Sequence, residues 1–168
     1  PTAESVLSHP PPPWLPARLV SITPVPQGED KIIRRAQLEE VLGEPLPEAL
    51  VLRTLPNPVS RRSKQYSGTN PPYLEADAAS WLRAKGVVHL LLDLPSVDRE
   101  EDGGALEAHR AFWNLPRQPR AHATITELIH VPDHLADGFY VLNLQIAAFE
   151  NDASPSRPIL FPVKPLQG

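Results

Sequence analysis

The chain has 168 residues, enough for one domain of ordinary size, and 41% of them are apolar. Its formal net charge of −4 gives no basic field to attract nucleic acid, and its apolar runs are too short to cross a bilayer, so we expect neither nucleic acid nor membrane as a partner. It has no cysteine, which excludes disulfides and thiolate metal ligands and fits a reducing, cytoplasmic compartment.

The N-terminal residues differ from the rest in pattern. Residues 1–16 show no apolar period and are interpreted as an irregular Pro-rich segment that precedes an α/β domain over residues 17–168. The run Pro10–Pro13 fits either a polyproline II recognition motif or a rigid surface connector, and the connector is favoured. The chain opens on Pro1 and contains no methionine, which is typical of a processed or truncated product.

The first half of the chain predicts short elements separated by turns. Apolar patterning predicts a strand over Ala17–Val25, a turn over Gly28–Asp30, a helix over Arg35–Leu42 and a buried strand over Ala49–Thr54. Residues 55–73 hold several prolines and no period, so we expect a long irregular loop. The basic cluster in this loop, Arg61, Arg62 and Lys64, is expected to be a solvated tip rather than an anion site.

The second half predicts a helix that returns into a buried strand. The pattern indicates a helix over Leu74–Lys85, a strand over Val87–Leu94, a helix over Gly104–Trp113, a long strand over Phe139–Phe149 and an edge strand over Pro158–Val163. About five strands and three helices, with helix and strand alternating in part, indicate an α/β fold or, less strictly, α+β.

Three polar side chains follow the buried strand of the second half. Asp93, Ser96 and Asp98 stand where ligands bind in α/β sheets, beyond the carboxyl ends of the strands. The alternative, in which Asp93 and Ser96 only close a turn by bonding local backbone, is favoured on the residues alone.

Two further residues are candidates for metal binding. Glu127 lies in an apolar stretch, where a carboxylate must be paired, protonated or bound to a metal. His109 lies on the predicted helix, where a lone histidine is usually a packed, hydrogen-bonded residue. A His nitrogen and a Glu oxygen are suitable ligands for Zn²⁺ or Mn²⁺, but two ligands do not complete a site. The nearby histidines are reserve candidates, each more typical of a surface residue: His122, His130 and His134.

Several blocks together resemble the cyclase family of metal-dependent hydrolases, to which kynurenine formamidase belongs. They are Leu50-Val-Leu-Arg-Thr54, Trp81-Leu82, Asp93-Leu-Pro-Ser-Val-Asp98, His109, Ile125-Thr-Glu-Leu-Ile129 and Asp152-Ala-Ser-Pro-Ser-Arg157-Pro158. The resemblance covers residues 17–164 and implies a swivelling β/β/α-type fold, with a mixed sheet flanked by helices. It also implies a divalent metal, zinc or manganese, and a homo-oligomer.

The resemblance also implies roles for single residues. His109 looks like the family's histidine at the metal centre, which can act as acid and base, and Glu127 looks like its late glutamate ligand. Asp93, Ser96 and Asp98 would line the mouth of the pocket, and Arg53 would lie there at the end of a neighbouring strand. Glu127 follows His109 by 18 positions, and the Pro- and Arg-rich run Leu115–Arg120 between them looks like a local insertion.

One family signature is missing from the sequence. An early H-x-G-T-H-x-D motif supplies most metal ligands in the family, and His9, followed by four prolines, cannot replace it. Three explanations remain, in order of preference. The upstream part that carries the motif forms a companion chain, it has been cut away, or it is naturally absent from an inactive homologue.

The sequence therefore supports two functional hypotheses. In the first, the chain is part of a metal-dependent hydrolase of a small amide, cyclic amide or ester, and binds metal tightly only with the upstream segment. In the second, it is a cyclase-like scaffold without catalysis that acts as a binding or interaction module, with Pro10–Pro13 and residues 55–73 as its contact surfaces.

Overall fold

Nine strands and three α-helices lie within residues 5–163, the part of the chain that the computed structural model describes. The strands are β1 Trp14–Ile22, β2 Val25–Gln27, β3 Asp30–Ile33, β4 Ala49–Thr54, β5 Tyr73–Leu74, β6 His89–Leu92, β7 Thr124–Thr126, β8 Gly138–Asn143 and β9 Ile159–Pro162. The helices are α1 Arg35–Val41, α2 Ala76–Ala84 and α3 Glu107–Trp113. Residues 1–4 of the predicted Pro-rich segment and residues 164–168 of the predicted α/β domain lie outside the described residues.

Six strands form one mixed sheet in the order β7-β6-β4-β1-β8-β9. The pairs from β7 through β1 are parallel, whereas β8 is antiparallel to both β1 and β9. Every residue of β4 and of β6 is buried, as the continuous apolar runs predict for central parallel strands. The predicted mixed sheet with flanking helices is confirmed, and so is the edge position of the last strand, where Pro162 cannot donate to a further partner.

The two faces of this sheet are covered differently. All three helices pack on one face, where Leu38, Leu82 and Phe112 are fully buried together with side chains from β1, β4 and β6. The other face has a second apolar cluster, and residues 129–135 rather than a helix cover it. Because β1, β4, β6 and β7 pair in parallel, their carboxyl ends lie at one edge of this sheet.

The bounds of several predicted elements are wrong. The first strand begins at Trp14 and ends at Ile22, and the residues after it form β2 and β3 of a separate three-stranded sheet, β2-β3-β5. Leu74 belongs to β5 and not to a helix, because its backbone pairs with β3. Residues 55–73 are not wholly irregular, since they contain a 3-10 helix at Val59–Ser63.

The long strand predicted over Phe139–Phe149 is also too long. β8 ends at Asn143, opposite Trp14, the first residue of its neighbour β1. Beyond this point the regular pairing of the described residues gives way to single contacts, among them an isolated bridge between Ile146 and Ser156. The short strand β7 was not predicted, because three half-buried residues carry too little period to indicate a strand.

No helix within residues 5–163 combines the length and the apolar character needed to cross a membrane.

Candidate active site

The segment that follows β6 holds two side chains of the candidate site in place. The backbone N–H of Val97 donates to Oε1 of Glu127 at 2.9 Å, and the backbone N–H of Asp98 donates to the hydroxyl of Ser96 at 3.0 Å. Val97 is itself fixed, because its carbonyl accepts the N–H of Leu74 in β5. Residues 96–98 therefore connect the end of β6, the small sheet and the residue after β7.

Asp98 fixes the orientation of the His109 ring. Oδ2 of Asp98 lies 2.5 Å from Nδ1 of His109, and its Oδ1 accepts the backbone N–H of Ala108 at 2.6 Å. Asp98 is 6% exposed. An ionised carboxylate can only accept, so this contact places a proton on Nδ1, and in the neutral ring the lone pair is then on Nε2, at the other side of the ring. The ring of Trp113 packs against the imidazole with a centroid distance of 5.1 Å.

The free nitrogen of His109 faces Glu127. Nε2 of His109 and Oε1 of Glu127 are 3.6 Å apart, which is too long for a hydrogen bond. Two ligands about 2.1 Å from one tetrahedral zinc ion would be about 3.4 Å apart, so the separation suits two donors to one ion. Burial raises the pKa of the Glu127 carboxyl above its usual range, although the Val97 N–H and the nearby imidazole act in the opposite direction.

The two residues fit part of a metal site. Within residues 5–163, no group of three or more His, Cys, Asp or Glu side chains could hold an ion. His109 and Glu127 offer one nitrogen and one oxygen, the donor types that zinc and manganese accept, and this leaves other coordination positions to different donors.

Asp93 lies in a separate buried ion pair. Its carboxylate accepts from the backbone N–H and the hydroxyl of Thr54, and Nη1 of Arg61 donates to it at 3.0 Å. Nη2 of Arg61 also donates to the Asp93 carbonyl at 2.8 Å. The prediction that Arg61 belongs to a solvated tip is wrong, because the 3-10 helix turns its guanidinium inward while Arg62 and Lys64 stay exposed. The favoured interpretation of Asp93 as a local turn residue is wrong as well, since its partners lie on β4 and in the loop.

Arg53 forms a second buried network at the end of β4. Its guanidinium donates to the Ser21 hydroxyl at 2.8 Å, to the carboxylate of Asp137 at 3.0 Å and to the carbonyls of Pro132 and Leu135. The structure therefore brings Ser96, Asp98, His109 and Glu127 together and places Arg53 and Asp93 in networks of their own. The three reserve histidines, His122, His130 and His134, are exposed.

A cavity of about 380 Å³ has Asp98 in its wall, whereas His109 and Glu127 are not among its lining residues. Tyr73 from β5, Arg99 and Asp102 also line it, together with Ala105 and Ala108 at the start of α3. Its polar and charged walls suit a small polar molecule next to Asp98 and the neighbouring His109.

Sequence patterns alone missed three contacts of this site. The Asp98–His109 pair, the Val97 N–H and the inward Arg61 depend on how a loop and a 3-10 helix pack, and no periodicity reports this. The position of Asp98 after a buried strand was the available signal for the first of them.

Comparison with known proteins agrees with this architecture. The model of the Cyclase family matches residues 2–99. Kynurenine formamidase of Bacillus cereus is 30% identical over 149 residues, which are 88% of this chain and 63% of that protein. The kynurenine formamidase of Bacillus cytotoxicus is 33% identical with the same coverage. The chain thus spans less than two thirds of the length of these curated relatives.

Solved structures share the fold at low sequence identity. One described as a "Potential Metal-Dependent Hydrolase With Cyclase Activity" superposes with a TM-score of 0.66 at 18% identity, over 91% of this chain and 67% of that chain. An isatin hydrolase bound to the product analogue thioisatinate superposes with a TM-score of 0.58 at 15% identity, over 86% and 59%. These likenesses confirm the predicted fold class.

Proposed function

Because the chain belongs to the cyclase family, we propose that it forms part of a metal-dependent hydrolase of a small amide, cyclic amide or ester. The observation that carries the proposal is the 3.6 Å separation between Nε2 of His109 and Oε1 of Glu127, with both side chains held by residues 97–98. The names of the relatives, kynurenine formamidase and metal-dependent hydrolase, support the reaction class.

His109 and Glu127 would hold a divalent ion, zinc or manganese, together with donors from outside residues 5–163. Such an ion, when bound, polarises a substrate carbonyl and activates water. The other donors come from a segment with an H-x-G-T-H-x-D motif, on the same polypeptide or on a companion chain. A homo-oligomer in the cytoplasm is part of the same proposal, on the resemblance alone.

The residues of this chain have distinct tasks in the proposed reaction. Asp98 keeps the proton of His109 on Nδ1, so that Nε2 is available as a lone pair. Glu127, whose pKa burial raises, orients water or takes up its proton through its second carboxylate oxygen, since Oε1 faces the ion and the Val97 N–H, and the cavity beside Asp98 receives the substrate. The buried pair of Asp93 and Arg61 keeps the end of β6 rigid, and thereby the segment that holds both functional side chains.

The test measures hydrolysis of formyl amides, cyclic amides and esters by the longest native polypeptide that contains this chain, supplied with Zn²⁺ or Mn²⁺. His109→Ala is expected to lower kcat/KM by about a hundredfold or more. His134→Ala, which removes an exposed histidine, is the matched control and should leave the rate unchanged. Equal rates for the two variants would contradict the assignment of His109.

A second candidate function is a scaffold without catalysis. The lack of a three-ligand group within residues 5–163 favours it. On this hypothesis, the folded native polypeptide hydrolyses no substrate of the panel with either metal, while His109→Ala still lowers the melting temperature because the buried Asp98 carboxylate loses its partner.

A further inference from the structure

A second cavity, of about 350 Å³, opens between the C-terminal parts of α2 and α3. Three guanidinium groups line it, from Arg83 on α2, Arg110 on α3 and Arg117 in the turn that follows. Ser80 adds a hydroxyl to the wall, and no acidic residue is among the lining residues. We refer to Ser80, Arg83, Arg110 and Arg117 as the arginine cavity.

Within the described part of the chain, the arginines of this cavity form no ion pair. Among the ion pairs of residues 5–163, none involves Arg83, Arg110, Arg117 or the neighbouring Arg120. Three arginines around one cavity with no acidic lining residue, and a fourth beside Arg83, are unexpected in a chain with a net charge of −4. The inward arginines Arg53 and Arg61, by contrast, each have an acidic partner.

Two of the four guanidinium groups are held in position by backbone carbonyls. Arg83 donates to the carbonyl of Ala111, which fixes its guanidinium against α3. Arg120 donates to the carbonyls of Phe112 and Val87 at 3.0 and 2.8 Å. Burial lowers the pKa of Arg120, and the charge of Arg83 lowers it further, so the two cations repel each other. An anion bound in the cavity at Arg83 would offset the positive charge that Arg83 and Arg120 share.

Helix-dipole compensation does not explain the whole cluster. Arg83 and Arg110 lie in the last turns of α2 and α3, where cations interact favourably with the helix dipole. Arg117 lies beyond α3, in Leu115–Arg120, the run that looks like an insertion relative to the cyclase family. The two helices contribute Arg83 and Arg110 to the cavity, and this run contributes Arg117 as a third cation.

We infer that the arginine cavity is a binding site for a small anion with phosphate or carboxylate groups. Guanidinium groups pair with both groups through two parallel hydrogen bonds, and the Ser80 hydroxyl can donate a further one. The site is separate from the proposed hydrolase site, because His109 faces Asp98 whereas Arg110 lines this second cavity. Either proposal can therefore fail without the other.

The experiment follows backbone amide NMR signals of the full 168-residue chain during titration with inorganic phosphate and, separately, with citrate. We expect saturable shifts at Ser80, Arg83 and residues 110–117 with at least one of the two, and no such shifts with sodium chloride at equal ionic strength. The ion that binds more tightly identifies the phosphate or the carboxylate class.

A double substitution tests the cavity itself. Arg110→Ala with Arg117→Ala should weaken binding by about tenfold or more, since charge-assisted hydrogen bonds are lost. Lys31→Ala with Arg62→Ala removes the same charge from exposed residues elsewhere and should leave binding unchanged. Absence of saturable shifts, or equal weakening by both double variants, would overturn the inference. If the first double variant does not fold, Arg117→Ala alone is used with the same two outcomes.

Discussion

Two aspartates within six residues of each other bond to different partners. Asp93 bonds to Thr54 and Arg61 inside the protein, whereas Asp98 bonds to the imidazole of His109. The sequence predicted acidic side chains at this end of the sheet, because they follow a buried strand. It could not distinguish their partners, which come from a 3-10 helix and from α3 and depend on packing.

Removal of Arg61 should destabilise the fold. Asp93 is 5% exposed, and burial raises its pKa in spite of Arg61, so the carboxylate loses its main counter-charge in the variant. We expect Arg61→Ala to lower the free energy of unfolding by about 3 kcal/mol in urea denaturation at pH 7. Arg62→Ala, at an exposed neighbouring position, should change it by less than about 0.5 kcal/mol. Similar effects of both substitutions would show that the ion pair contributes little.

Asp98→Asn should change which nitrogen of His109 carries the proton. Asparagine can still accept the N–H of Ala108, but its amide can also donate to Nδ1 and so move the ring proton to Nε2. The ¹⁵N chemical shifts of the ring should report Nδ1–H in the wild type and a larger share of Nε2–H in the variant. Affinity for Zn²⁺ in the native polypeptide should fall by about 10- to 100-fold. An unchanged tautomer in the variant would show that Asp98 does not position the ring.

Helices and strands with a strong apolar pattern could be predicted from the sequence, whereas short strands with a weak pattern could not. β4 and α2 were predicted close to their true bounds, because the first is apolar throughout and the second has a clear buried face with Trp81 and Leu82. β7, β2 and β3 are short, with three or four residues each, and they exist because they pair with neighbours that the local sequence does not specify.

The strand β6 makes the stability of the fold depend on pH. Its first residue, His89, is 2% exposed, and Nδ1 contacts the hydroxyl of Thr124 on β7 at 2.9 Å. Burial, together with the charges of His122 and Arg120, lowers the pKa of His89 from 6.5 to about 4. Between these values the unfolded chain binds a proton that the folded chain does not, so stability falls as the pH falls through this window.

Urea unfolding at several pH values between 7 and 4 measures this dependence. The wild type should lose up to roughly 3 kcal/mol more than His89→Gln over the window, at about 1.36 kcal/mol for each unit of pKa. The variant is less stable at pH 7 if the Thr124 contact is lost, but its curve should be flatter. Parallel curves for the two proteins would contradict the assignment to His89.

The candidate site depends on the fold of the whole molecule, because it joins residues that are distant in the sequence. Its donors lie 18 positions apart, on α3 and after β7, and the loop after β6 holds both of them. The resemblance to the cyclase family identified His109 and Glu127 as candidates, and the fold explains why they meet, since parallel strands end at one edge of the sheet. Within residues 5–163, no third His, Cys, Asp or Glu side chain joins these two donors in a group that could hold an ion.

Paramagnetic broadening by Mn²⁺ in the ¹⁵N-labelled chain tests directly whether His109 and Glu127 bind one ion, because it detects even weak binding. One ion between the two donors should broaden the amides of Val97, His109 and Glu127 first, at the lowest Mn²⁺ concentration. His109→Ala should abolish this selectivity and His134→Ala should not. Broadening centred on the exposed Glu100 and Glu101, with the amides of His109 and Glu127 unaffected, would contradict a shared metal position.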